Sequence, residues 1–135
     1  MAAMDITPGK FFVKHDDKAL GDITATMNVS GDRQGTIVVS FARASATDLV
    51  NGMLGDAVEN LEQDMQDAVG EITNMITGQA RAAIAEAGIS LQASTPTVVA
   101  DADLKIAYKS KAPIVVIPFT TRVGSTFAVE FCLGE

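Results

Sequence analysis

Residues that support redox or zinc chemistry are nearly absent from this 135-residue chain, which has one cysteine, one histidine and no tryptophan. With only Cys132 and His15 available, one chain can form neither a disulfide framework nor a zinc site of the usual cysteine and histidine type. Such cysteine usage is typical of a reducing compartment, so we expect a cytoplasmic protein.

Positive charge is also scarce. Ten lysine and arginine residues stand against 17 aspartate and glutamate residues, giving a formal net charge of −7. This balance disfavours binding to nucleic acid and to anionic membranes, because no basic cluster offsets it. No window approaches the roughly 18 apolar residues of a membrane-spanning helix. We therefore expect neither nucleic acid nor a membrane as a partner.

The chain does contain enough apolar sequence for a core, since 47% of its residues are hydrophobic. At this length we expect one globular domain over residues 1–135. Alternating apolar and polar residues predict a hairpin over residues 23–41 and a second hairpin at the end of the chain, with its turn at residues 122–125.

Shorter segments lie outside these hairpins. Residues 7–9, Thr-Pro-Gly, predict a turn. Further extended pieces are predicted at residues 97–100, 104–108 and 114–119. In the last of them, Pro118 predicts an edge strand or a bulge.

Two helices are predicted between the hairpins. The first is short, with Ser45 or Thr47 as its cap and Gly55 at its end. The second begins at Asp56 or Asn60, ends at Gly88 and is the longest helical pattern in the chain. Its apolar residues recur every three or four positions, which predicts one buried face. They are Leu61, Met65, Ala68, Val69, Ile72, Met75, Ile76, Ala80, Ala83, Ile84 and Ala87.

This order of elements predicts an α+β fold, in which an antiparallel or mixed β-sheet packs against the long helix and the shorter one. With so few helices, half of the sheet or one of its edges would stay open. A partner subunit is the ordinary way to cover such a surface, so we expect a homodimer.

The long helix carries a polar stripe on the side opposite its apolar face. The stripe consists of Asp67, Glu71, Asn74, Gly78 and Arg81. Gly70 lies one turn before Asn74, and Gly78 lies one turn after it. Each interior glycine costs a helix about 1 kcal/mol relative to alanine. The two glycines would leave Asn74 open to close approach by another molecule, or they are tolerated and pack beneath a loop.

The stripe offers one carboxylate and one amide three residues apart. The chain shows no Ser/His/Asp set, P-loop or carboxylate pair with an adjacent base. An amide can donate and accept a hydrogen bond at once, so it can orient a water molecule. Glu71 and Asn74 therefore suit hydrolysis of a bond that a partner supplies. Alternatively, Asp64, Asp67 and Glu71 hold a divalent cation or are simply the solvated side of the helix.

Residues 67–78, DAVGEITNMITG, resemble the ExxN helix of the chemotaxis phosphatases of the CheX/CheC/FliY family. Further segments are similar in type and order, and together they cover nearly the whole chain. They are KALGDIT at 18–24, GTIVVSF at 35–41, LVNGMLG at 49–55, TPTVV at 95–99 and VIPF at 116–119. A single ExxN motif resembles the CheX branch, because CheC and FliY usually carry two.

The resemblance implies a phosphatase that hydrolyses the aspartyl phosphate of a CheY-type response regulator. It implies that Asn74 orients the attacking water and that Glu71 pairs with a lysine of the partner. Residues of the same stripe and its glycines would contact the partner: Asp67, Gly70, Gly78 and Arg81.

The resemblance also implies that the chain needs no cofactor or metal of its own, because the partner supplies Mg²⁺. Members of the family are homodimers that share sheet contacts. They commonly have a helix before the Thr-Pro-Gly segment, and we expect this helix to be missing from residues 1–135. A non-catalytic module that binds a receiver or dimerises with the same fold remains the alternative.

Overall fold

The structure is a computed structural model that describes residues 6–55, 58–121 and 126–134. These residues form eight strands and two helices. The strands are β1 (Ile6–Pro8), β2 (Phe12–Lys14), β3 (Ile23–Gly31), β4 (Gly35–Phe41), β5 (Leu91–Ala93), β6 (Thr97–Val99), β7 (Ile114–Thr121) and β8 (Thr126–Leu133), and the helices are α1 (Arg43–Leu54) and α2 (Leu61–Glu86).

All strand pairs are antiparallel, and they form one sheet with the order β1-β7-β8-β4-β3-β5. Strand β2 also pairs with β7, and β6 also pairs with β3. The predicted hairpin over residues 23–41 is confirmed, with Ile23 opposite Phe41 and Val29 opposite Gly35. Strands β7 and β8 also pair as predicted, whereas their turn at 122–125 lies outside the described residues. The α+β prediction is confirmed.

Both helices pack on one face of this sheet, where the alternating apolar residues of β3, β4 and β8 point. The face is rich in β-branched and aromatic side chains, among which Phe127 stacks on Phe41 with ring centroids 4.7 Å apart. Helix α2 contributes five buried apolar side chains, Met65, Ala68, Val69, Ile72 and Ile76. Burying apolar surface stabilises a fold by roughly 25 cal/mol per Å². This apolar layer is therefore the main stabilising contact between helix and sheet.

The predicted apolar face of α2 is wrong at its ends. Leu61 is 38% exposed, and Ala83 and Ala87 are exposed as well. The helix has 26 residues, so it is roughly 39 Å long. Strand β3, the longest beneath it, has nine residues and spans roughly 30 Å. The two helix ends therefore extend beyond the sheet that would bury them.

The helix ends follow the predicted signals in part. The side chain of Asn60 caps α2 by accepting a hydrogen bond from the Gln63 amide at 3.2 Å. Gly55 and Gly88 both follow a helix with positive φ, as expected for terminating glycines. The predicted cap of α1 is wrong: the helix begins at Arg43, and Thr47 Oγ1 instead donates to the Arg43 carbonyl within the helix.

The region around Pro118 also differs from the prediction. Residues 6–8 are not a turn but strand β1, which pairs with β7. Strand β7 is therefore covered on both sides, so Pro118 does not mark an edge. The interruption between β1 and β2 lies opposite Pro118, whose carbonyl accepts from the Gly9 amide at 2.6 Å. Because N and O of one residue point to the same neighbour in an antiparallel strand, the missing proline N–H faces this interruption.

The second sheet face is covered by the chain itself, through the segment 100–113. Ile106 is buried there, and the Lys109 amide donates to Thr36 Oγ1 at 2.9 Å. Residues 104–108 form no strand, contrary to the prediction, and contribute only an isolated bridge between Lys105 and Lys18. No helix in the described parts of the chain combines the length and apolarity needed to cross a membrane.

Candidate functional site

Helix α2 holds Glu71 and Asn74 on the side that faces away from the sheet. Both side chains are exposed, while Ile72 and Thr73 between them are buried. Thr73 Oγ1 donates to the Val69 carbonyl at 2.7 Å, so its buried hydroxyl is satisfied within the helix. Because the inner face of α2 is packed against the sheet, the positions of Glu71 and Asn74 on its outer face are fixed. Neither side chain, that of Glu71 or that of Asn74, has a hydrogen bond or ion pair within the described residues.

A groove of about 410 Å³ runs beside these two residues. One wall is α2, and the other is the end of the β5–β6 connector with Val98 of β6. The lining residues are Gln66, Asp67, Gly70, Glu71, Asn74, Thr95, Pro96 and Val98. The helical spacing predicted the first wall. The second wall was not predicted as part of the site, although TPTVV was one of the segments that carried the family resemblance.

The connector that forms the second wall is held rigidly. It consists of three residues, 94–96, between β5 and β6. The Ser94 amide donates to the Asn28 carbonyl at 2.9 Å, and the Asn28 amide donates to Ser94 Oγ at 3.0 Å. Pro96 fixes its own φ and restricts Thr95 to extended conformations. The groove therefore lies between two walls that hold their shape.

The two glycines of α2 lie in different surroundings. A Cβ on Gly78 would meet nothing within 4 Å, so this side of Asn74 is open as predicted. A Cβ on Gly70 would lie 3.5 Å from Val98 Cγ2, an ordinary packing distance. Gly70 is thus where strand β6 approaches the helix, and it forms part of the groove. The open approach to Asn74 comes from the Gly78 side.

Asp67 and Arg81, the charged ends of the predicted stripe, are both engaged within the fold. Asp67 is exposed, and its Oδ1 accepts from Gln63 Nε2 at 2.8 Å. Arg81 is half-buried, and its Nε donates to the Leu91 carbonyl at 2.9 Å. The expectation that Arg81 points to solvent is therefore wrong, because this contact ties α2 to β5. Gly78 and Arg81 do not line the groove.

The groove is electrostatically negative. Its charged lining residues within the described chain are the carboxylates Asp67 and Glu71, and no lysine or arginine faces them from the opposite wall. Asp64 is directed elsewhere, since it accepts from the amides of Glu59 and Asn60 at 3.1 and 3.3 Å. Among the residues that the structure describes, no cluster of three possible metal ligands occurs. The alternative cation site at Asp64, Asp67 and Glu71 thus has no support in the geometry.

A second cluster of chemically active groups lies behind the sheet and was not predicted. Lys14 Nζ donates to Glu130 Oε1 at 3.0 Å and to Tyr108 Oη at 2.9 Å. The Tyr108 hydroxyl in turn donates to Glu130 Oε1. Glu130 is fully buried, and its Oε2 has no hydrogen-bond partner among the described residues. Burial and the hydrogen bond to Glu130 raise the pKa of the Tyr108 hydroxyl far above its usual range.

Cys132 belongs to the same buried face. Its Sγ donates to the carbonyls of Ser110 and Ala112 at 3.4 and 3.3 Å. Burial raises the pKa of the thiol, and the hydrogen bonds to Ser110 offset this only in part. A thiol of raised pKa that is closed off from solvent is a poor nucleophile. Cys132 is therefore not a candidate nucleophile.

The fold and the exposed carboxamide on its long helix place the protein in a class of α+β domains that resemble CheC and CheX. A family model described as chemotaxis phosphatase CheX matches residues 23–120. The chain belongs to this CheX family.

Individual relatives agree with this assignment. The chain is 43% identical to a chemotaxis protein CheX from Desulfovibrio desulfuricans, with a TM-score of 0.87 over 98% of this chain and 88% of that one. It is 29% identical over 99 residues to the CheY-P phosphatase CheX of Thermotoga maritima, which covers 73% of this chain and 63% of that relative. The match thus spans less than two thirds of the Thermotoga protein.

A more distant solved structure shares the fold alone. It is the CheX-CheY-BeF3-Mg+2 complex from Borrelia burgdorferi, with 16% identity and a TM-score of 0.77 over 96% of this chain and 84% of that one.

Proposed function

We propose that this protein hydrolyses the aspartyl phosphate of a CheY-type response regulator. The observation that carries the proposal is the pair of exposed side chains, Glu71 and Asn74, which have no internal partner and stand on a rigid helix beside a groove. Membership of the chemotaxis phosphatase family and a relative named as a CheY-P phosphatase support the same reaction.

In the proposed reaction Asn74 orients the attacking water. Its Oδ1 accepts a hydrogen bond from the water, and its Nδ2 can donate to a phosphoryl oxygen. The water oxygen forms a new bond to phosphorus as the bond between phosphorus and the aspartyl oxygen breaks. The products are inorganic phosphate and a free carboxylate, and the proton that the water loses passes to phosphate or solvent. Such a reaction depends mainly on placement and on charge neutralisation.

Glu71 has a docking role in this proposal. Its carboxylate pairs with a lysine of the response regulator and so brings Asn74 into line with the phosphoryl group. Mg²⁺ is supplied by the response regulator, and the protein provides no cofactor of its own. Asp67, Gly70 and Gly78 lie within one or two turns and form the surface that meets the partner. Arg81 supports this surface indirectly through its contact with Leu91.

The assay mixes the protein with a phosphorylated response regulator and follows the decay of the phosphate. Asn74→Ala should abolish the acceleration. Glu71→Ala should mainly raise the concentration of response regulator needed for half-maximal rate. Gln79→Ala, an exposed change on the same helix outside the groove, serves as the control and should behave like the wild type. Saturable binding with an unaltered phosphate lifetime would instead favour the non-catalytic module.

We also propose that the protein is a cytoplasmic homodimer. Support comes from strand β2, which among the described residues pairs only with β7. Phe11, Phe12 and Val13 are 66%, 47% and 43% exposed there. Large apolar side chains beside an unpaired strand edge are typical of a surface that a second subunit covers. Sedimentation should give twice the chain mass of 14.1 kDa, and Phe12→Lys should shift it towards the monomer. A wild-type monomer at micromolar concentration would contradict the proposal.

A further inference from the structure

The groove beside Asn74 is asymmetric, and this asymmetry limits how a partner can approach. On the Gly78 side nothing stands within 4 Å of a possible Cβ, so a bulky domain can come close. On the Gly70 side the connector wall of Thr95 and Pro96 faces the helix across the groove. The space between these walls is about 410 Å³, a size that suits a single loop of the partner.

The chemistry of the groove defines the kind of loop. Asp67 and Glu71 are its charged groups among the described residues, and both are negative. The amide of Gln66 and the hydroxyl of Thr95 line the same space and make no hydrogen bond that the described residues account for. These two groups can form hydrogen bonds with the backbone amides and carbonyls of an entering loop. A positively charged loop is complementary to the two carboxylates.

We infer that the connector wall, Thr95–Pro96, is a partner-selecting surface and that the groove receives a positively charged loop of the phosphorylated receiver domain. The inference rests on the proposed function and adds to it a second wall, outside the helix that carries the ExxN motif. The wall is suited to selection because its position is set by the Ser94–Asn28 hydrogen bonds and by Pro96. A rigid wall excludes loops of the wrong width or charge.

A matched pair of substitutions tests the inference. Thr95→Arg places a long cation inside the groove. Thr97→Arg makes the same chemical change two residues later, at an exposed position on the sheet face opposite the helices. Binding is measured with a purified CheY-type response regulator that the wild type binds, loaded with BeF3⁻ and Mg²⁺. Turnover of its phosphorylated form gives kcat and KM.

Thr95→Arg should raise both Kd and KM about tenfold or more, with kcat changed less than about twofold, because the altered residue meets the partner but not the reacting atoms. Thr97→Arg should leave all three constants unchanged. Equal constants for the two variants, or a loss confined to kcat, would overturn the inference while the proposed function stands.

Thr95→Glu provides a second readout if the arginine variant folds poorly. A third carboxylate should lower Kd for a positively charged loop, and the gain should shrink as salt is added. Weaker binding by Thr95→Glu would overturn the inference, because a wall that acts only through its bulk gives the same sign for both variants. Because Kd is measured without turnover, it tests the role of the connector wall independently of hydrolysis. A wild type that binds the receiver but leaves its phosphate lifetime unchanged therefore refutes only the proposed hydrolysis.

Discussion

The outer face of α2 and the buried face behind the sheet both carry chemically active side chains, but they use them in opposite ways. Behind the sheet, Lys14, Tyr108 and Glu130 bind one another; Lys14 and Glu130 are buried, and Tyr108 is half-buried. On α2, Glu71 and Asn74 are exposed and have no partner among the described residues. Residue type alone would have favoured the lysine, tyrosine and glutamate as the reactive group.

The contrast indicates which of the two clusters is functional. The ammonium, phenol and carboxylate behind the sheet offset the desolvation cost of one another's burial. All three groups already hold hydrogen bonds within the fold. The exposed amide on the rigid helix has no partner among the described residues, so it can bind another molecule without breaking internal contacts. We therefore expect substitutions behind the sheet to change stability, and substitutions on the outer face of α2 to change turnover.

The largest effect on stability is expected for Lys14→Met. Removing the ammonium leaves the Glu130 carboxylate buried without its counter-charge, which costs about 3–5 kcal/mol of unfolding free energy. Denaturant titration by circular dichroism measures this loss. Lys10→Met, an exposed lysine between β1 and β2, is the matched control and should change stability by less than about 0.5 kcal/mol. Similar values for both variants would show that the ion pair does not stabilise the fold.

A smaller effect is expected for Tyr108→Phe, which removes one hydrogen-bond donor from Glu130. The loss at neutral pH should be about 1–3 kcal/mol. The raised pKa of Tyr108 adds a pH dependence. Below about pH 10 a tyrosine keeps its proton in both states, so its contribution is constant. Above that pH the unfolded chain loses the proton while the folded chain keeps it, so stability falls as the pH rises.

The difference in unfolding free energy between wild type and Tyr108→Phe, measured from pH 9 to pH 11, reports the contribution of the Tyr108 hydroxyl. The difference should shrink as the pH rises through this range. A constant difference would mean that the Tyr108 hydroxyl titrates as it does in the unfolded chain.

The smallest effect on stability is expected for Gly78→Ala. A methyl group here meets nothing within 4 Å, so the helix should gain about 0.5–1 kcal/mol. The same methyl lies one turn from Asn74 and should weaken the encounter with the receiver severalfold. Gly52→Ala in α1, where a Cβ also meets nothing within 4 Å, should match the stability gain and leave turnover unchanged. Equal turnover in both variants would show that the Gly78 side is not an approach path.

Local pattern predicted much of this fold. The alternation from Ile23 to Phe41 predicted the central hairpin, and the three-and-four spacing of apolar residues predicted α2, with Asp56 or Asn60 at its start. These signals work because each element buries one face, and that face appears as a period in the sequence. The exposed pair Glu71 and Asn74 followed from the same periodicity.

What could not be predicted depends on contacts between distant parts of the chain. The three-residue strand β1 exists because β7 pairs with it. Lys14 and Glu130 are 116 positions apart, and no local pattern connects them. The alternation at 104–108 suggested a strand, whereas Ile106 and Tyr108 lie in the segment 100–113 that covers the sheet, where Ile106 is buried and Tyr108 bonds to Glu130. The connector wall of the groove was missed for the same reason.

The most direct test measures Asn74→Ala and Lys14→Met in the same two assays, phosphate decay on a phosphorylated response regulator and denaturant unfolding. Asn74→Ala should raise the barrier to hydrolysis by roughly 2–4 kcal/mol, a loss of about 30- to 1000-fold in rate, with stability unchanged within about 0.5 kcal/mol. Lys14→Met should lose stability and, under conditions where it stays folded, keep its turnover. Undiminished hydrolysis by Asn74→Ala, or a Lys14→Met variant that is folded but inactive, would contradict the assignment of the site to the outer face of α2.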